Sequence, residues 1–262
     1  MDKNLLPLIP ERTQKPRTTG IAMVMDKGLS IREAEDFVSV CADLTDFVKL
    51  GFGTSVVTPG VKEKVRMYQD AGIKVYVGGT LFEAFLIRGR YDDYLRYIDN
   101  LGLDTIEISD GSMVIEHSKK CEYIHELSKK YTVLSEVGAK EAGILIAPAR
   151  WIEMMKTELD SGAFKVIAEA RESGTVGIYH PSGKAHTVLI NKIHSVIESN
   201  RILWEAPLKS QQAWFIQHFG ANVNLGNIAP NDIIPLETLR LGLRGDTFFQ
   251  FLPEEYKKYK LE

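Results

Sequence analysis

Short apolar runs recur along this chain, and four of them deliver a glutamate at or near their C-terminal end. The clearest is Thr105-Ile-Glu-Ile-Ser-Asp-Gly-Ser112, where β-branched Ile106 and Ile108 flank Glu107 and lead into a polar turn. Leu134-Ser-Glu136-Val-Gly138, Val166-Ile-Ala-Glu169-Ala-Arg171 and Leu203-Trp-Glu205-Ala-Pro207 repeat the arrangement. A carboxylate inside a buried apolar strand is costly unless it is paired or holds a cation. Four of them in equivalent places predict a repeated architecture and a shared site.

Eight such runs predict strands at 20–25, 46–50, 73–77, 105–108, 132–136, 164–168, 201–205 and 222–225. The first is continuously apolar, as strands covered on both faces are. Helical periodicity fills the intervals. It covers 30–44, with Ser30 as N-cap and Glu33 as its capping-box partner, then 60–71, two pieces around Gly89, 114–131, 148–162, 184–199 and Lys209 to Gly220. A last helix has Pro235 near its start and stops by Gly242. Repeats of roughly 25 to 35 residues predict one (β/α)8 TIM barrel. The barrel is expected over 18–252, after an irregular lead-in at 1–17 that carries Pro7, Pro10 and Pro16 and before a charged tail at 253–262. A doubly wound sheet is the alternative, but no GxGxxG follows the first run and no composition break marks a second domain.

A net charge of −3, with 44% hydrophobic and 26% charged residues, describes a globular chain and argues against nucleic-acid or membrane-surface partners. The two cysteines, Cys41 and Cys121, lack CxxC spacing and are expected as reduced thiols. No apolar run reaches the ~20 residues of a membrane span, and no signal-peptide core is present, so a cytoplasmic location is expected.

Barrel sites form at the C-terminal ends of the strands. Asp26, Lys27, Lys49, Thr80, Glu107, Asp110, Glu136, Lys140, Glu169, Arg171, Glu205 and Asn224 all fall at or just past such ends. Clustered carboxylates stay ionised together only around a cation, and oxygen-only ligands favour Mg²⁺ or Mn²⁺ over zinc. Glu107, Asp110, Glu136, Glu169 and Glu205 are therefore the candidate metal ligands. Lys49, Lys140 and Arg171 would meet an anionic substrate, a combination suited to stabilising an enolate while a lysine moves a proton. Lys209 and Ser210 at a helix start, with Asn224, Gly226, Asn227 and Arg244, are the candidates for binding substrate and phosphate. Ser109, Ser112 and Ser135 have no supporting histidine, and His180 and His186 read as loop residues.

Eight segments carry a resemblance to a known family. They are Lys49-x-Gly51-Phe-Gly-Thr-Ser55, Gly78-Gly-Thr-Leu-Phe-Glu83, Glu107-Ile-Ser-Asp-Gly-Ser112, Glu136-Val-Gly138, Glu169-Ala-Arg-Glu-Ser-Gly174, Glu205-Ala-Pro-x-Lys-Ser-Gln-Gln212, Asn222-Val-Asn-Leu-x-Asn227 and Leu243-Arg-Gly-Asp-Thr247. Over about residues 18 to 250 the chain resembles the phosphosulfolactate synthases. The resemblance implies a barrel that adds sulfite to phosphoenolpyruvate with Mg²⁺, giving (2R)-3-phosphosulfolactate for coenzyme M or sulfolactate production. It implies that Lys140 protonates C2 and that Lys49 and Arg171 bind anionic oxygens. Two departures stand out: Val77 replaces the family's usual proline, and the segment after Lys140 is shorter and more apolar than in archaeal members. The family also has a plant heat-stress-associated branch, which makes a non-catalytic protein-binding homologue the second reading. A Mg²⁺-dependent barrel lyase with another nucleophile is the third. Barrels of this kind often associate, so a homo-oligomer is expected.

Overall fold

The computed structural model describes residues 6–138 and 147–260. In chain order its main elements are β1 (Ala22–Asp26), α1 (Ile31–Cys41), β2 (Phe47–Leu50), α2 (Thr54–Val57), α3 (Val61–Asp70), β3 (Lys74–Val77), α4 (Gly79–Leu86), α5 (Tyr91–Leu101) and β4 (Thr105–Ile108). They continue with α6 (His117–Leu127), β5 (Thr132–Val137), α7 (Pro148–Asp160), β6 (Lys165–Ala168), α8 (Thr187–His194), β7 (Ile202–Glu205), α9 (Lys209–Phe219), β8 (Leu225–Ile228) and α10 (Ile233–Arg240). The strands form one parallel sheet in the order β3-β2-β1-β8-β7-β6-β5-β4, and β3 and β4 lie side by side to bring it round. This is the expected (β/α)8 TIM barrel. Among the described residues no backbone ladder joins β3 to β4.

The strand alternation explains why charged residues could sit inside apolar runs. Successive side chains point to opposite faces of a strand. One set, including Val24, Val48, Val75, Ile106, Val133, Val166 and Trp204, packs outward against the helices. The other set, Ile21, Met23, Phe47, Tyr76, Leu134, Ile167 and Leu203, fills the barrel interior. Two residues further along the same inward rows come Lys49, Glu136, Glu169 and Glu205. The apolar interior layer is thus roofed by a charged one.

The caps and turns behave as their sequences demand. Ser30 and Glu33 form the expected capping box on α1, and Pro148 opens α7. Several predicted helices are shorter than their periodicity suggested: 114–131 contracts to α6 and 184–199 to α8.

The largest correction is β8, expected at 222–225 and found at Leu225–Ile228. Asn222 and Asn224 do not extend the strand because their side chains serve neighbouring backbone. Asn224 Oδ1 accepts from Ile21 N at 3.1 Å, and its Nδ2 donates to Ser199 O at 3.1 Å and Ile202 O at 3.0 Å. Asn224 therefore holds the N-terminal end of the barrel, opposite the charged layer, and leaves the set of substrate-binding candidates. Gly226, expected in a phosphate loop, is part of the barrel wall. A Cβ there would stand 2.8 Å from Met23 Cε and 3.3 Å from Leu203, so the interior packs because that side chain is absent.

The N-terminal end is closed by buried or half-buried cations. Arg240 donates to Ala221 O, Val223 O and Ile21 O, and Arg12 pairs with Glu237 at 2.9 Å. Burial first, and Arg12 second, bring Arg240 down to about 9.

Gly226→Ala is expected to overpack the interior at a cost of about 1–3 kcal/mol. Calorimetry should show Tm falling by roughly 2–4 °C per kcal/mol. An unchanged Tm would mean that Met23 and Leu203 yield freely.

Candidate active site

The charged layer centres on Lys49 of β2. Its Nζ lies 2.9 Å from Glu107 Oε2, 3.1 Å from Glu136 Oε2 and 3.6 Å from Glu205 Oε1, and all four side chains are buried. Burial alone would lower the lysine, but Glu107, Glu136 and Glu205 together outweigh it and hold the ammonium well above its ordinary range. Removing one partner from a buried ion cluster typically costs about 3–5 kcal/mol, because it strands the remaining charge. Lys49, expected from sequence to meet an anionic substrate, is thus a fixed internal counter-ion in this arrangement.

The carboxylates are held from several directions. Glu107 Oε1 accepts from Gly79 N at 2.5 Å, a bond that crosses the β3–β4 seam, where no ladder exists among the described residues. Glu205 Oε2 accepts from Ala170 N at 2.9 Å, and Tyr179 Oη donates to Glu205 O at 2.6 Å. Gly138, with φ of 140°, lets β5 end hard against the next strand's glutamate: a Cβ there would lie 2.6 Å from Glu169 Cβ. That close approach accounts for the glycine of the Glu136-Val-Gly138 motif. Tyr76, the ladder neighbour of Lys49, points into the same interior. Its hydroxyl has no hydrogen-bond partner among the described residues. Burial, then Glu107, push the phenol well above its ordinary range, so it remains a neutral donor.

Glu136, Glu169 and Glu205 each offer a carboxylate oxygen, and the three oxygens lie within 4.8 Å of one another. All three residues are buried, and Glu205 Oε1 makes no hydrogen bond among the described residues. Burial raises the Glu205 carboxyl, Lys49 opposes the rise, and Glu136 adds to it, leaving it at about 7. An oxygen-only, acidic and buried donor set of this kind fits a hard divalent cation such as Mg²⁺.

The other candidates from sequence separate into groups. Glu107 belongs to the charged layer but lies outside the three-carboxylate cluster. Asp110 turns away from it: Lys120 Nζ approaches Asp110 Oδ1 at 2.9 Å. Arg171 is exposed just past β6. Lys209 and Ser210 open α9, both exposed, and Lys209 Nζ pairs with Asp246 Oδ2 at 2.7 Å. That hydrogen bond first, then burial opposing it, then the charge of Lys209, leave Asp246 below the usual carboxylate range. Asn227 is buried at the end of β8 and donates to Ala170 O at 3.1 Å. Lys140 lies outside the described residues. One member of the constellation was missed from sequence. Buried Glu83 of α4 accepts from Ser109 Oγ and, at 2.6 Å, from Ser112 N, so it ties the β4 turn across the same seam. Its place in the Gly78-Gly-Thr-Leu-Phe-Glu83 motif was the available signal.

Residues 10–246 match a family model described as (2R)-phospho-3-sulfolactate synthase (ComA). The chain belongs to the phosphosulfolactate synthase family. It is 42% identical over 244 residues to a phosphosulfolactate synthase of Bacillus subtilis, covering 92% of this chain and 97% of the relative. It is 43% identical over 246 residues to a phosphosulfolactate synthase of Methanothermobacter thermautotrophicus, covering 92% and 95%. A more distant relative, Protein HEAT-STRESS-ASSOCIATED 32 of Arabidopsis thaliana, is 24% identical over 260 residues, with 88% of each covered. The fold also matches the crystal structure of 3-hexulose-6-phosphate synthase from Salmonella typhimurium, with a TM-score of 0.55 at 14% identity, covering 86% of this chain and all of that one. At that identity the match speaks to the barrel alone. Among the described residues no helix is long and apolar enough to cross a membrane.

The raised Glu205 carboxyl of this family member makes a pH prediction. A group whose folded pKa stands near 7, above the ordinary 4.5, contributes stability that is complete below about 4.5 and lost as pH rises through about 7. Thermal melts in EDTA between pH 5 and 8 should therefore show the wild type losing stability over this window. Glu205→Gln should flatten that slope. Equal slopes for the two proteins would assign the carboxyl an ordinary pKa.

Proposed function

We propose that this chain is a Mg²⁺-dependent phosphosulfolactate synthase, joining sulfite to C3 of phosphoenolpyruvate. The observation that carries the proposal is the convergence of Glu136, Glu169 and Glu205 in the interior of the barrel mouth. A cluster so acidic repels a substrate that carries a carboxylate and a phosphate, unless a divalent cation intervenes. The family's chemistry supplies such a substrate.

The bond changes are these. The sulfur lone pair of sulfite forms the S–C3 bond, the C2–C3 π pair moves toward the carboxylate, and a proton then reaches C2. When bound, Mg²⁺ on Glu136, Glu169 and Glu205 would take up negative charge developing on the substrate carboxylate. Lys49 pairs with Glu107, Glu136 and Glu205 and holds their carboxylates in place, so the ligand set is organised before substrate arrives. Tyr76 and the apolar interior layer beneath keep water from entering from below. Lys209, Ser210 and Arg244, at the start of α9 and beside Asp246, are where the phosphate would dock, with Asp246 yielding its cations to the incoming anion. Lys140, two residues beyond Gly138 in the family motif, delivers the proton to C2.

The test is to mix purified protein with phosphoenolpyruvate, sulfite and Mg²⁺ and follow loss of the enol-ester absorbance. Loss should require sulfite and stop with EDTA. Lys140→Ala should lower kcat by about 10²–10⁴-fold with little change in KM, as loss of a proton donor does. No consumption by well-folded wild-type protein would contradict the function, and an effect confined to KM would make Lys140 a binding residue.

A further inference from the structure

A second cluster of charges lies on the other face of β5, between that strand and helices α6 and α7. Lys120 of α6 is fully buried, as is Glu158 of α7. Lys120 Nζ stands 2.9 Å from Asp110 Oδ1 and 3.0 Å from Glu158 Oε1, and it donates to Glu136 O at 2.6 Å. Glu158 Oε2 accepts from Ser135 Oγ at 2.6 Å, and Glu158 Oε1 lies 3.2 Å from His117 Nε2. The proposed chemistry uses none of these groups directly. A buried ion cluster is also a poor source of stability, since its desolvation offsets most of its Coulomb attraction.

What the cluster does is grip β5 at two successive residues. Ser135 faces outward and is held by its side chain, while Glu136 faces inward and is held by its carbonyl. We propose that Lys120, braced by Asp110 and Glu158, is a positioning residue for the Glu136 carboxylate. It fixes the backbone from outside the barrel so that the side chain emerges inside it at the cation cluster. The inference rests on the reading of Glu136 as a cation ligand. It also gives Asp110, an acid expected at the metal, a role one step removed from it.

The test uses Mn²⁺ alone as the probe, titrated into the full chain and followed by the EPR signal of the free ion. Lys120→Met should weaken Mn²⁺ binding at least about tenfold, the loss typical when a partner that orients a ligand is removed, while far-UV circular dichroism stays that of the wild type. Lys120→Met strands one buried and one half-buried acid, so Lys120→Met/Glu158→Gln is measured beside it. This pair loses one charge of each sign and should show the same weakened binding if the single variant does not fold. Wild-type Mn²⁺ affinity in either folded variant, even with a lowered Tm, would overturn the positioning role and leave the cluster purely structural. No Mn²⁺ binding by the wild type would overturn the cation reading of Glu136, and the positioning role with it.

Discussion

The Lys49 ammonium among three glutamates is the interaction on which the rest of the site depends. Four strands end in an inward glutamate, and at the mouth of the barrel those side chains are forced together. Without positive charge, their mutual repulsion and desolvation would either protonate them or push the strands apart. Lys49 reaches Glu107, Glu136 and Glu205 from the opposite wall of the barrel and neutralises part of that charge. It leaves Glu205 incompletely compensated, which is visible as an oxygen without a hydrogen bond among the described residues and a carboxyl raised to about 7. The interior is thus part-neutralised and still acidic, the state that the proposed cation would complete.

The same side chains close the barrel where the backbone does not. No ladder joins β3 to β4 among the described residues, but Glu107 takes the Gly79 amide and Glu83 takes the Ser109 hydroxyl and the Ser112 amide across that gap. A carboxylate accepting charge-assisted bonds from N–H and O–H groups is a stronger clamp than a neutral backbone pair. The charged layer and the closure of the barrel therefore share Glu107. The seam is the part of the wall where loss of one site residue would also loosen the fold.

Much of this was legible in the sequence because it rests on local patterns. Short apolar runs ending in polar turns mark the strands, and the polar residues in or just past those runs pick out Lys49, Glu107, Glu136, Glu169 and Glu205. What stayed hidden depended on partners distant in sequence. Gly226 and Asn227 look like a turn, and only the proximity of Met23 and Leu203 makes that glycine part of a strand. Asn224 looks like a strand-end ligand, until Ile21, Ser199 and Ile202 claim its amide at the other end of the barrel. Lys120 and Glu158 sit on amphipathic helices, where charges ordinarily face water, and nothing in their own helices shows that both are buried. Asp110 reads as a candidate metal ligand because its sequence position matches that of the strand-end glutamates, while its direction is set by Lys120 ten positions on.

The central claim is that the glutamates of β5, β6 and β7 hold a divalent cation inside a ring that Lys49 has already part-neutralised. Its most direct test is anomalous diffraction from crystals of the full chain grown with Mn²⁺. The account predicts a single strong peak within coordination distance of carboxylate oxygens from Glu136, Glu169 and Glu205, with Lys49 still paired to Glu107. A peak elsewhere, or an ordered site with no peak, would contradict it.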